Sequence, residues 1–162
     1  PRKERISLTW VVTNSLYILE SRCAKSGIEL VRRLPREVPA VNADASQMQQ
    51  VVVNLVVNAI QAMPQGGRLT VETTAGRSYA CLVVEDTGCG MSSEVLKQIF
   101  VPFFTTKDVG QGTGLGLSVV QGIVEAHGGS VRVQSDLGHG ARFEVRLPAV
   151  PEDEGFSPTS AT

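Results

Sequence analysis

Four glycines alternate with other residues in Gly110-Gln111-Gly112-Thr113-Gly114-Leu115-Gly116-Leu117, and the run leads directly into a helix-like stretch, Ser118–His127. Alternating glycines free the backbone to approach a ligand closely. The helix behind them offers unpaired N–H groups and the positive end of its dipole to an anion. A fold that accommodates this segment must bring a helix N-terminus up to a phosphate-sized ligand. No Lys-Ser/Thr pair follows, as a P-loop requires, and the spacing is not that of the dinucleotide fingerprint. A third kind of nucleotide site is implied.

The 162-residue length fits one domain with a sizeable core. Hydrophobic residues at 42% and charged residues at 19% fit an ordinary soluble globular protein. A net charge of −1 gives no electrostatic reason to expect nucleic acid or direct contact with an anionic membrane. Cys23, Cys81 and Cys89 are odd in number and lack metal-ligand spacing, which points to a reduced, cytoplasmic compartment. No apolar run is long enough to span a bilayer. The first residue is Pro1, which fits either methionine removal or a domain cut from a longer protein.

Leu8, Val12, Leu16, Leu19 and Cys23 recur at helical spacing and predict a helix over Thr9–Ser26. Short strands are expected at Ile28–Leu34 and Val38–Val41. Asp44 or Ser46 caps a second helix over Ala45–Met63, ended by Pro64 and Gly66-Gly67. Arg68–Thr74 and Tyr79–Glu85 read as an antiparallel hairpin, and Ser130–Ser135 with Ala141–Leu147 as another. One helical turn is expected at Ser93–Phe100 in the irregular stretch before Gly112, and a third helix at Leu115–His127. The tail, residues 150–162, has the composition of a disordered segment. These elements spell an α+β, two-layer α/β sandwich.

On the second helix Gln50, Asn54, Asn58 and Gln61 lie three to four residues apart and share a face. Neutral amides between apolar flanks either form a hydrogen-bonded polar seam or face a cavity holding hydrated Mg²⁺ and phosphates. Downstream, Val84-Glu85-Asp86-Thr87-Gly88-Cys89-Gly90 ends a strand on a carboxylate followed by two glycines. Asp86 there is either part of a simple turn or an acceptor for an exocyclic amine, which would select adenine.

The order Asn54-x-x-x-Asn58, Asp86-x-Gly88-x-Gly90, Phe100…Phe103-Phe104-Thr105-Thr106-Lys107 and Gly112-Thr113-Gly114-Leu115-Gly116-Leu117 resembles the ATP-binding catalytic domain of sensor histidine kinases. The wording is most similar to the nitrogen-regulation type. The resemblance covers about Ile6 to Pro148 and implies the Bergerat fold, in which three helices cover one face of a mixed, mostly antiparallel sheet. A mobile ATP lid is implied at about residues 87–113, within a domain spanning residues 1–149. It implies ATP and Mg²⁺ as ligands, with Asn58 on the metal and Asn54 a further candidate. Asn54 stands where ATPase relatives carry a water-activating glutamate, and an amide is a poor general base.

By the same resemblance Asp86 binds adenine, with Gly88 and Gly90 letting the base approach the backbone. Phe100, Phe103 and Phe104 anchor the lid, although each ring also fits an ordinary core. Thr105, Thr106 and Lys107 face the phosphates, Lys107 as a point charge unless it is a solvated lid lysine. Gly112, Thr113, Gly114, Leu115, Gly116 and Leu117 form the phosphate-facing hinge. Asn54 and Lys107 are the residues implied to serve the transfer step. Two departures stand out: Ala141 where a threonine often follows the glycine, and Gln61 where a basic residue is common.

His127 and His139 lack a phosphoacceptor context and are expected in structural or surface roles. The resemblance implies an acceptor histidine on a separate dimerisation domain of a homodimeric parent, for relay to a response regulator, with this piece itself monomeric. A clamp-type ATPase, an anti-sigma-type serine kinase and a nucleotide-sensing module are the alternatives. The first is disfavoured by Asn54.

Overall fold

The structure is a computed structural model and describes residues 1–104 and 116–151. A short strand β1 (Glu4–Ile6) leads into helix α1 (Leu8–Lys25), then β2 (Ile28–Arg33), β3 (Val41–Ala43) and helix α2 (Ala45–Gln61). Strands β4 (Gly67–Ala75) and β5 (Tyr79–Asp86) follow, then the single turn α3 (Ser93–Leu96), helix α4 (Gly116–Ala126), β6 (Ser130–Ser135) and β7 (Ala141–Pro148). Local chemistry sets the helix starts. The Ser7 hydroxyl accepts the Trp10 N–H, and Asp44 Oδ1 accepts the N–H groups of Ser46 and Gln47.

Five strands form one sheet in the order β2-β4-β5-β7-β6, in which β2–β4 is parallel and every other pair antiparallel. Side-chain alternation makes it two-faced. Leu69, Val71, Leu82, Val84, Phe143 and Val145 are buried under α1, α2 and α4, whereas Arg68, Glu72, Glu85 and Arg142 stand on the other face. This is the two-layer arrangement expected. On the bare face Cys81 is fully buried, its thiol donating to Glu144 Oε2 at 3.2 Å, and burial pushes it up to about 11. All three cysteines are free, and no helix among the described residues is long and apolar enough to cross a membrane.

Two expectations need correction, and one strand was not anticipated. Strand β1 has no apolar alternation to betray it, and it exists through its antiparallel pairing with β3. That partner lies at Val41–Ala43, not Val38–Val41: Pro39 has no N–H to give a ladder, and Val41 and Ala43 are the residues buried alternately. The turn at Ser93–Phe100 is helical only over Ser93–Leu96. Ordered chain also continues past residue 149. Ala149 bridges Val41, and the Val150 N–H donates to Ala40 O at 2.8 Å. The rest of the expected tail, residues 152–162, lies outside the described residues.

Candidate nucleotide site

Asp86 closes β5 in the middle of the sheet, opposite Leu69 of β4 and Ala141 of β7. Its side chain is only 4% exposed. One carboxylate oxygen, Oδ1, accepts the Gly88 N–H at 2.8 Å. Burial raises Asp86 above the usual carboxylate range, and the backbone N–H groups of Gly88 and Ala141 pull it part of the way back. A buried carboxylate held by one backbone donor keeps lone pairs for a further donor, as an exocyclic amine would be.

The loop after Asp86 is fastened on two sides. The Cys89 N–H donates to Ala62 O at the end of α2, and Cys89 O accepts the Gly138 N–H at 2.7 Å from the β6–β7 turn. The Ser135 hydroxyl accepts the Met91 N–H and donates to Gly140 O. The glycines owe their positions to these contacts. A Cβ on Gly88 would lie 2.3 Å from Ala62 O, and one on Gly90, at φ +72°, would lie 2.0 Å from Asp136 O. A Cβ on Gly140 would meet Asp86 O at 2.1 Å. The sequence assigned Gly88 and Gly90 to the ligand; the structure gives them protein backbone to approach. Gly140, Ser135 and the Ala62 carbonyl were not singled out, and only Gly138-x-Gly140 in the hairpin turn hinted at them.

One turn before Ala62, Asn58 is half-buried on α2, and its carboxamide has no hydrogen-bond partner among the described residues. Asn54, one turn further back, donates from Nδ2 to Gly116 O at 3.2 Å. That bond joins the amide face of α2 to the first residue of α4 and leaves the Asn54 carbonyl oxygen available. Two side-chain oxygens with the remainder supplied by phosphates and water suit Mg²⁺, so the amide pair fits the metal that the resemblance implies. Gln50 and Gln61 of the same face are exposed. Gly116 opens α4, and nothing among the described residues lies within 4 Å of the place its Cβ would take. Leu117 is half-buried against the core.

The three phenylalanines part company. Phe100 and Phe104 pack against the core, but Phe103 is 73% exposed and sits at φ +71°. Thr105, Thr106, Lys107, Gly112, Thr113, Gly114 and Leu115 lie outside the described residues, as does most of the lid's second half. Of the histidines, His139 is exposed. His127 is buried, and its ring joins Ile123 O at 2.8 Å through Nδ1 and the Asp44 N–H at 3.1 Å through Nε2. That arrangement requires the neutral tautomer with the proton on Nδ1 and is a structural role, as expected. No group of three potential metal-ligating His, Cys, Asp or Glu residues exists among the described residues.

The loop after Asp86 is thus fastened to the end of α2, and the amide face of α2 to the start of α4. Residues 43–151 match the family model described as histidine kinase-, DNA gyrase B- and HSP90-like ATPase. The sensor kinase CckA of Brucella abortus (strain 2308) is 41% identical over 94% of this chain, and AtoS, a signal transduction histidine-protein kinase of Escherichia coli (strain K12), 36% identical over 92%. The chain spans 18% and 24% of the lengths of those two relatives. The solved catalytic domain of the histidine kinase ThkA superposes with a TM-score of 0.82 at 30% identity, over 94% of this chain and 99% of that one. With its family model and its structural neighbours in agreement, the chain belongs to the histidine kinase-, DNA gyrase B- and HSP90-like ATPase family, as an ATP-binding catalytic domain of the sensor histidine kinase type.

Proposed function

We propose that this domain binds ATP with Mg²⁺ and presents the γ-phosphoryl group to a histidine carried by another domain of its parent protein. The observation that supports the reading most is that Asp86 is buried at the end of β5, its following loop is fastened to Ala62 at the end of α2, and Asn54 of α2 donates to Gly116 at the start of α4. Asp86 selects the base by accepting its exocyclic amine. Asn58, with the Asn54 carbonyl as a second oxygen, holds the metal, which when bound neutralises phosphate charge. Lys107 and the glycine hinge through Gly116 serve the phosphates. The imidazole nitrogen attacks the γ-phosphorus in line, the bond to the β-phosphate oxygen breaks and ADP leaves, so the protein contributes positioning and charge stabilisation.

Asn54 favours transfer over hydrolysis, because a carboxamide cannot accept a proton from water as a glutamate does. A histidine kinase ThkA solved in complex with the response regulator TrrA is 28% identical to this chain with a TM-score of 0.78, and it supports a response regulator as the onward partner. We further propose Asn54 and Lys107 as the residues of the transfer step and a homodimeric parent as its setting.

The test is a mixing experiment with γ-labelled ATP and Mg²⁺, in which this chain is combined with the remainder of its parent. Acid-labile, base-stable label on the remainder is expected, and none with Asp86→Asn. Acid-stable label would establish a serine kinase instead, and tight ATP binding with no label would leave a nucleotide sensor.

A further inference from the structure

Ser135 closes β6 on the same cross-strand row as Asp86. It stands opposite Ala141 of β7, and Ala141 stands opposite Asp86 of β5. The three side chains therefore lie side by side on the helix-covered face of the sheet. The Ser135 hydroxyl uses both its capacities there: it accepts the Met91 N–H at 2.9 Å and donates to Gly140 O at 2.6 Å. Both partners bear on the pocket. Met91 ends the loop that follows Asp86, directly before Ser92 caps α3. Gly140 packs so closely on the Asp86 carbonyl that a Cβ would lie 2.1 Å from its oxygen. The bonds of Cys89 to Ala62 and Gly138 run backbone to backbone, whereas Met91 is held through a side chain from another strand. A point substitution can remove that one bridge and leave the backbone fastenings in place.

We propose that Ser135 is a positioning residue for the nucleotide: by bridging Met91 to Gly140 it holds the base-side loop in its binding shape before the ligand arrives. Without the hydroxyl, the Met91 N–H and the Gly140 carbonyl both lose a partner, and the end of the loop is free to pivot about Cys89. Binding must then order the loop as well as the ligand, and affinity falls by the cost of that ordering. The bridge belongs to the base end of the site. Asn54 and Asn58, the candidate metal residues, stand on α2 and take no part in it. Ser135 therefore acts on the affinity for the adenine moiety and leaves the contribution of Mg²⁺ unchanged. The inference rests on the nucleotide reading of the Asp86 site and adds to it a residue that never touches the base.

Calorimetric titration of this chain with ADP, with and without Mg²⁺, tests the proposal and needs no acceptor histidine. Ser135→Ala is expected to weaken ADP by about five-fold or more, by the same factor whether or not Mg²⁺ is present. Ser135→Thr keeps a hydroxyl at the strand end and should recover most of the affinity. The titrations are run where circular dichroism shows every variant fully folded, so that lost global stability alone leaves the Kd unmoved. Should Ser135→Ala fail to fold, Ser135→Cys, close in size but a weak donor and acceptor, gives the same comparison. Unchanged ADP affinity in the hydroxyl-free variant would overturn the proposal. So would a loss that Ser135→Thr does not recover, or one confined to the Mg²⁺ complex. If the unsubstituted chain binds no ADP, the nucleotide reading itself falls and this inference falls with it.

Discussion

A buried carboxylate and the glycines around it set the terms at the residue scale. Asp86 is raised by burial above the 3.8 of an unburied aspartate, so folding favours its protonated form. Its contribution to stability is complete below that value and is lost as pH rises through the raised pKa. Binding an exocyclic amine needs the ionised form, so ATP affinity should fall as pH drops through the same range. Asp86→Asn removes the buried charge and also one acceptor, and the two changes oppose each other. The melting temperature should move by less than ~4 °C while calorimetric ATP affinity falls by about ten-fold or more; retained affinity would remove the adenine assignment. The glycines divide by what their missing Cβ would meet. Gly140→Ala, at φ +76° and 2.1 Å from Asp86 O, should cost about 3 kcal/mol or more in urea denaturation. Gly116→Ala meets nothing and should match or exceed the parent stability by up to ~1 kcal/mol. Any ATP affinity lost by Gly116→Ala is then the ligand's own close approach.

Elements are joined in this domain by caps and latches more than by loops. Asp44 ends β3, caps α2 and accepts the Arg2 N–H, while its own N–H donates to His127 at the end of α4. The Arg2, Gln47 and Ser46 bonds, that of Arg2 foremost, lower Asp44 to about 2. A lowered carboxylate contributes stability above the unfolded value of 3.8 and loses it as pH falls toward 2. Asp44→Ala should therefore be the less stable chain at neutral pH, with the gap closing as pH falls to about 2 in denaturant titrations; a gap constant across that range would show that the carboxylate is not held in this way. Much of this level was legible. Period-3.6 burial located α1 and α2, and the two antiparallel hairpins followed from β-rich runs flanking turn residues. β1 was not legible, because Glu4-Arg5-Ile6 has no pattern of its own and becomes a strand only when Val41–Ala43 lies beside it. The site was read as motifs in order, and the motifs pointed to Asp86 and the amide pair together. The backbone reasons for Gly88, Gly90 and Gly140 depend on Ala62, Asp136 and Asp86 respectively, residues far away in the sequence, and no local rule announces them.

For the whole molecule the proposed site runs from the middle of α2 to the end of β5 and the start of α4, so a nucleotide bound there would tie the two layers together. At a concentration 100 times its Kd, ATP with Mg²⁺ should stabilise the domain by about 2.7 kcal/mol, read as a shift in thermal melting. Asn58→Ala should keep part of the shift and lose the increment added by Mg²⁺; an undiminished increment would move the metal to other ligands. The chain enters and leaves beside the start of α2. Arg2 is held by Asp44, Ala149 bridges Val41, and the Val150 N–H reaches Ala40 O, so both ends of the described domain gather on the β1–β3 ribbon. Lys3 and Pro151 line one cleft there. A domain whose entry and exit are neighbours, far from its chemistry, behaves as a plug-in cassette: it can be spliced into a host loop, or closed on itself and reopened elsewhere, without pulling on the site that does the work.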